Sequence, residues 1–187
     1  SFSFGNVKTA FQLGLKIGLN RLIAGGIRPG SRERTGIDLP AENRPLFPTD
    51  PPKKYYDERF GPRGWSNAVT LNLSIGQGEN SQTVVNMARF YTALATDGSA
   101  ARPEVVRRSP DRTKILNLTP AQLAGLRDAM ADVVSGRGTA GSAAIQGVVL
   151  AGKTGTAQNE TGKDHAWFVG FAPKDDPKIV VAVMLWQ

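Results

Sequence analysis

From residue 148 onward the chain stops reading as helix and begins to read as strand. This change of period constrains the fold more than any other feature. Val148–Leu150, His165–Ala172 and Lys178–Trp186 are runs rich in apolar, β-branched and aromatic residues, the composition of strands. Two short polar links, Asn159–Asp164 and Pro173–Pro177, punctuate them. A parallel crossover takes about a dozen residues or more, so links this short predict antiparallel neighbours. Upstream the period is helical. Over residues 83–97, Val84, Met87, Ala88, Tyr91 and Leu94 fall on one stripe, and Gly98 supplies a stop. Over 119–134, Thr119 can cap, Pro120 suits the first turn and Gln122 completes a capping box. Leu118 and Leu123 stand where a hydrophobic staple would, Leu123, Leu126, Met130, Val133 and Val134 line one side, and Gly136 ends the segment. Helices followed by a three-stranded meander make an α+β chain, with helices packed on an antiparallel sheet.

The first half is less regular. Residues 8–24 carry Phe11, Leu15, Leu19, Leu22 and Ile23 on a mixed helical spacing and predict one helix ending near Gly25-Gly26. Over residues 27–70, Arg28-Pro29-Gly30, Pro51-Pro52 and Gly61-Pro62 predict a long irregular excursion, with one short strand at Gly36–Leu39. A loop of that length in a compact domain is usually functional or mobile. With 187 residues and 40% apolar composition, the chain has the material for one hydrophobic core. It has no Cys and one His, which excludes disulfide and thiolate chemistry and argues against a zinc site. We expect no metal and no cofactor. The net charge of +7 is spread along the chain without a basic run or interleaved aromatics, so a nucleic-acid partner is not expected. No apolar run approaches the roughly 18–20 residues of a membrane span.

Three glycine clusters invite comparison with phosphate-binding loops. Gly147–Thr154 fits G-x-x-x-x-G-K-[ST] letter for letter. A phosphate loop also needs a strand before the first Gly and a helix opening after the Lys. Gly141–Gln146 is a poor strand and Thr154-Gly155-Thr156-Ala157 a poor helix, so we set a nucleotide triphosphatase aside. Gly136–Gly141 matches G-x-G-x-x-G, but it follows a helix instead of a strand, and we read it as a loop. Gly76-Gln77-Gly78-Glu79 precedes a helix, where amides can hold an anion, although a tight turn is the plainer reading.

Lys153-Thr154-Gly155-Thr156 remains. As a triplet Lys-Thr-Gly is weak, but it lies on an apolar strand opening the meander, the setting expected in penicillin-recognising serine enzymes. The residue types suit acyl transfer at a sheet edge, where an extended peptide adds as a further strand. Lys153 places a cation near the ligand carboxylate and the proton relay, and the Thr154 hydroxyl can bond that carboxylate. Gly155 lets backbone approach closely, and the Thr156 amide is placed for the developing oxyanion. Lys153 is therefore the catalytic candidate, and Thr154, Gly155 and Thr156 the substrate-binding ones.

Six ordered blocks carry a wider resemblance. They are Phe11–Gly18, Arg34–Pro40, Leu73–Glu79, Asn86–Arg89, Ala151–Ala157 and His165–Pro173. Together they resemble class B penicillin-binding proteins of the elongation type (penicillin-binding protein 2, a peptidoglycan D,D-transpeptidase). The resemblance implies a penicillin-binding/β-lactamase-like transpeptidase domain that cross-links the cell wall. A serine attacks D-alanyl-D-alanine, D-alanine leaves, and the acyl group passes to a neighbouring stem peptide. It implies peptidoglycan stem peptides and β-lactams as ligands, and membrane-anchored elongation machinery as the partner of the full-length protein. The implied location is the periplasmic, extracytoplasmic face of the inner membrane, with the anchor outside residues 1–187.

The chain departs from the family pattern in two places. No serine has a Lys three residues later, so the Ser-x-x-Lys nucleophile is expected upstream. The second motif, Ser-x-Asn or Ser-x-Asp, should precede Phe11, yet Gly5 and Val7 occupy its positions. A closing helix after residue 187 is also expected. Residues 1–187 are thus read as the C-terminal portion of one transpeptidase domain, inactive alone for want of a nucleophile. The alternatives are a non-catalytic module that binds peptidoglycan or β-lactam, and a serine β-lactamase or carboxypeptidase relative. Among single residues, His165 reads as structural or exposed, and Trp167, Phe168 and Phe171 as sheet packing. Arg137 is a secondary candidate for a carboxylate contact, with a solvated loop residue as the plainer reading.

Overall fold

The computed structural model describes residues 7–106, 111–135, 138–158 and 162–186. The chain divides into two compact units, one formed by residues 1–34 and 43–83, the other by 35–42 and 84–187.

The first unit is helical: α1 (Val7–Ile17), α2 (Leu19–Ile27), α3 (Pro52–Phe60) and α4 (Ala68–Ser74). The single helix expected over 8–24 is two, because Gly18 takes a positive φ of 82° and turns the chain between them. Gly14 lets α1 lie against α4; a Cβ there would stand 2.4 Å from Ser74 Cβ. Ile23, Phe47, Tyr56 and Leu73 form the core.

The irregular excursion expected over 27–70 contains α3 and the start of α4, so that reading is corrected. Pro52 sits in the first turn of α3, where its missing N–H costs nothing. Lys53 pairs with Asp57 and Lys54 with Glu58 one turn on, and Tyr56 anchors the buried side. Apolar periodicity gave little sign of α3, because most of its surface is polar and one aromatic holds it down.

The second unit holds the sheet. In order it contains α5 (Val84–Ala95), β1 (Ser99–Ala101), β2 (Arg112–Lys114), α6 (Pro120–Val134), β3 (Ala151–Ala157), β4 (His165–Ala172) and β5 (Ile179–Leu185). The strand expected at Gly36–Leu39 does not form. Instead the Glu42 carboxylate accepts from Thr35 N and Oγ1 and from Gly36 N, and Asp38 accepts from the amides of Val105 and Val106. Glu42 thus takes up the Gly36 amide at the start of the expected strand, and Asp38 turns its side chain to a separate segment.

Helix α6 forms as its caps predict. Gln122 N donates to Thr119 Oγ1 at 3.2 Å, and Thr119 N donates to Gln122 Oε1 at 2.9 Å. Leu118 and Leu123 both reach the core, as a staple should. The proposed terminator Gly136 lies outside the described residues.

Strands β3, β4 and β5 form an antiparallel meander in that order, leaving β3 at the edge of the sheet. The first strand begins at Ala151, so the expected strand at Val148–Leu150 is corrected by a few positions: Val148 instead closes a turn with Ile145. One face of the sheet packs on α5 and α6 through Ala151, Val169 and Phe171, with Tyr91, Leu94, Leu123 and Met130 opposite. The other face exposes Ile179, Val181, Val183 and Leu185.

On that second face Gly152 pairs with Gly170, and the Phe168 ring lies over both. Neither glycine has a positive φ, so they are required by space and not by backbone conformation. A Cβ on Gly152 would meet the Phe168 ring at 2.8 Å and the Val169 carbonyl at 3.1 Å. Gly152→Ala should therefore lower stability by about 1–3 kcal/mol. For Gly155→Ala, where nothing lies nearer than Trp167 Cβ at 3.4 Å, the cost should not exceed about 0.5 kcal/mol. Urea midpoints of the two variants decide the matter; equal losses would disprove the packing account.

Candidate active site

Register places the four candidate residues. Lys153 stands opposite Val169, Thr154 opposite Phe168, Gly155 opposite Trp167 and Thr156 opposite Ala166. Successive strand residues face opposite ways. Lys153 therefore shares the helix-covered face with Ala151 and Val169, while Thr154 and Thr156 share the open face with Phe168.

Lys153 is half-buried and its Nζ donates to the Thr154 carbonyl oxygen at 2.7 Å. Burial pushes its pKa below the ordinary lysine value, because desolvation disfavours the ammonium. The side chain is thus held against the strand and carries a weakened grip on its proton. Gly155 and Thr156 are exposed. At Gly155 the chain's own atoms leave room for a side chain, with Trp167 Cβ the nearest at 3.4 Å from a Cβ placed there. β3 has β4 on one side only in the sheet, and its other edge is the one an extended peptide can pair with.

The Thr154 hydroxyl lies 3.1 Å from the hydroxyl of Thr139. Residue spacing did not single out Thr139, which lies fifteen positions upstream in the loop after α6. The only sequence signal was the Gly136–Gly141 pattern, set aside there as a loop. Gly138, in that loop, packs against the end of α6, where a Cβ would stand 2.0 Å from the Val133 carbonyl. Arg137 lies outside the described residues, as do Gly5 and the rest of the chain before Val7.

The other glycine clusters resolve plainly. Lys153 sits inside a strand that runs on through Ala157, where a phosphate loop would open a helix, so Gly147–Thr154 is not a phosphate loop. Gly76 and Gly78 both take positive φ, and Gly76 N and Gln77 N return to the Leu73 and Asn72 carbonyls, a tight turn after α4. Glu79 accepts from the Tyr56 hydroxyl at 3.1 Å. His165 stacks on Trp186 with ring centroids 4.3 Å apart. Trp167 and Phe171 pack into the core side and Phe168 covers the glycine pair.

Comparison with known proteins gives a consistent answer. The family described as the penicillin binding protein transpeptidase domain matches residues 7–187. The peptidoglycan D,D-transpeptidase MrdA of Acinetobacter baumannii is 33% identical over 184 residues, which is 84% of this chain and 26% of that protein. A complex between penicillin-binding protein 2 and MreC from Helicobacter pylori contains a chain with a TM-score of 0.81 and 30% identity, covering 95% of this chain and 33% of that one. Penicillin-binding protein 3 of Mycobacterium tuberculosis, complexed with aztreonam, gives a TM-score of 0.79 at 27% identity, covering 98% of this chain and 44% of that one. This chain spans about a quarter of the length of the curated relative.

The lowered pKa of Lys153 has a measurable consequence. The folded chain binds this proton less tightly than the unfolded chain does. Between the folded value and the ordinary lysine value the unfolded state therefore holds more of the proton, and stability rises with pH through that window. After reductive ¹³C-methylation, the resonance missing from Lys153→Arg should titrate below the ordinary lysine range. Titration at or above that range would refute the burial of Lys153.

Proposed function

The chain belongs to the penicillin-binding protein transpeptidase family, and from that footing we propose that it forms the substrate-binding part of a peptidoglycan D,D-transpeptidase of the elongation type. The observation that carries the reading is Lys153-Thr154-Gly155-Thr156 on the free-edged strand β3, uncrowded at Gly155.

In this reading the stem peptide ending in D-alanyl-D-alanine lies along the open edge of β3 as a further strand. Thr154 bonds its terminal carboxylate. The serine oxygen attacks the carbonyl between the two D-alanines, its proton passing to a neighbouring base. The Thr156 amide donates to the oxyanion, the base passes the proton on to the leaving nitrogen, and the C–N bond breaks to release D-alanine. An amine of a second stem peptide takes the acyl group and restores the serine. Lys153 stands beside Thr154 with a lowered pKa, suited to the proton relay and to balancing the carboxylate charge. A β-lactam enters the same path, but its amine cannot leave because it remains tethered. The nucleophile, in Ser-x-x-Lys, belongs to the protein at its native length.

The fold supports residues 1–187 as a portion of one such domain. The exposed apolar residues Ile179, Val181, Val183 and Leu185 form a face that the closing helix of the family would cover. In this reading the partner is cell-wall elongation machinery; the Helicobacter pylori relative is seen in complex with MreC, which supports a protein partner of this kind. In this reading the protein acts on the extracytoplasmic side of the inner membrane, where peptidoglycan is cross-linked. No described helix is long and apolar enough to cross a membrane.

The test is the intact mass of the native-length protein after incubation with penicillin. One covalent adduct is expected. Replacing the Ser-x-x-Lys serine should abolish it, and Lys153→Ala should slow its formation by about 10²-fold or more. A folded native-length protein that gains no mass would leave a non-catalytic binding module as the account.

A further inference from the structure

We propose that Thr139 is a positioning residue for this reaction: its hydroxyl donates to Thr154 Oγ1 and so turns the Thr154 O–H toward the carboxylate of a ligand on β3. The inference rests on the reading of β3 as the strand that receives the acyl donor.

The argument starts from proton counting. Each threonine hydroxyl has one proton to donate and two lone pairs to accept with. The two oxygens stand 3.1 Å apart, and either can be the donor. Among the described residues no other side chain bonds the Thr154 hydroxyl. If Thr154 donated to Thr139, its proton would be used up and only lone pairs would face the ligand, repelling a carboxylate. With Thr139 as donor, the Thr154 proton is free and its oxygen is polarised by the bond it accepts, which strengthens the bond it makes. An arriving carboxylate selects that polarity, and Thr139 supplies it without turning the strand residue.

Thr139 is also held where this requires. Gly138 N donates to the Ser135 carbonyl at 2.7 Å, and Ala140 N donates to the Val133 carbonyl at 2.9 Å. Ala140 is buried, while Thr139 between these two anchors is exposed. Any side chain at Gly138 would strike the carbonyls of Val133 and Asp132. The last turn of α6 thus pins both neighbours of Thr139, and α6 itself packs on β3. One helix sets the distance between the two hydroxyls.

The experiment uses the native-length protein and two probes, a penicillin with its free carboxylate and the methyl ester of the same penicillin. Second-order acylation rates are measured for the wild type, Thr139→Val, Thr139→Ala and Thr139→Ser, with thermal unfolding of each. Loss of the donor in Thr139→Val and Thr139→Ala should slow the free acid by about tenfold. The ester should change by less than about twofold, and Thr139→Ser should restore most of the free-acid rate. Two variants lacking the hydroxyl keep the test open if one folds poorly. An unchanged acid-to-ester ratio overturns the proposal, whether both rates stay at the wild-type value or both fall together; the second pattern marks a merely structural role. A wild type acylated by neither probe overturns the transpeptidase reading itself, and this inference with it.

Discussion

The pairing register between β3 and β4 is the constraint on which the site depends. It sets Lys153 on the face covered by helices and Thr154 and Thr156 on the open face. A slip of one residue would exchange these faces for the whole strand. Two features hold the register. Ala151, Val169 and Phe171 must stay against α5 and α6, since each is almost wholly buried. Gly152 must stay opposite Gly170, because the Phe168 ring occupies the space beside both. The apolar core fixes one side of the sheet and a steric match fixes the other.

The chemistry of β3 follows from that placement. Lys153 would be an ordinary surface lysine if its strand were turned over. Placed on the core side, it is partly desolvated, and its amine folds back onto the Thr154 carbonyl. Gly155, two positions on, has only an ordinary contact with Trp167 beside it and a backbone that other residues can adopt, so neither packing nor conformation within the chain requires a glycine there. Edge strands are usually guarded against pairing. Here β3 pairs with β4 alone among the described strands of the sheet, and its edge carries the polar Lys153-Thr154-Gly155-Thr156 stretch.

Helix α6 links this edge to the rest of the second unit. Its N-terminus is closed by the Thr119–Gln122 box, and Arg127 reaches the carbonyls of Leu94 and Thr96 at the end of α5. Its C-terminal turn clamps Gly138 and Ala140 and so delivers Thr139 to Thr154. The helix thereby aligns a loop hydroxyl with a strand hydroxyl that lie far apart along the chain.

The sequence by itself determined the elements whose signals are local. The capping box and staple of α6 were readable because each uses residues within one turn. The strands His165–Ala172 and Ile179–Leu185 were readable because apolar and β-branched residues concentrate there between polar links. The candidate quartet on β3 was readable because its residue types suit one chemistry at a sheet edge, and six ordered blocks pointed to the same family. Helix α3 escaped notice, since prolines and glycines flank it and one buried tyrosine anchors it. The strand at Gly36–Leu39 was expected and is absent; there Glu42 takes the amides of Thr35 and Gly36, and Asp38 accepts from the amides of Val105 and Val106. Only the tertiary structure decided which face Lys153 occupies, how much water it keeps, and that Thr139 meets Thr154. These are consequences of register and of helix-on-sheet packing, which join residues distant in sequence and leave no periodic trace in it.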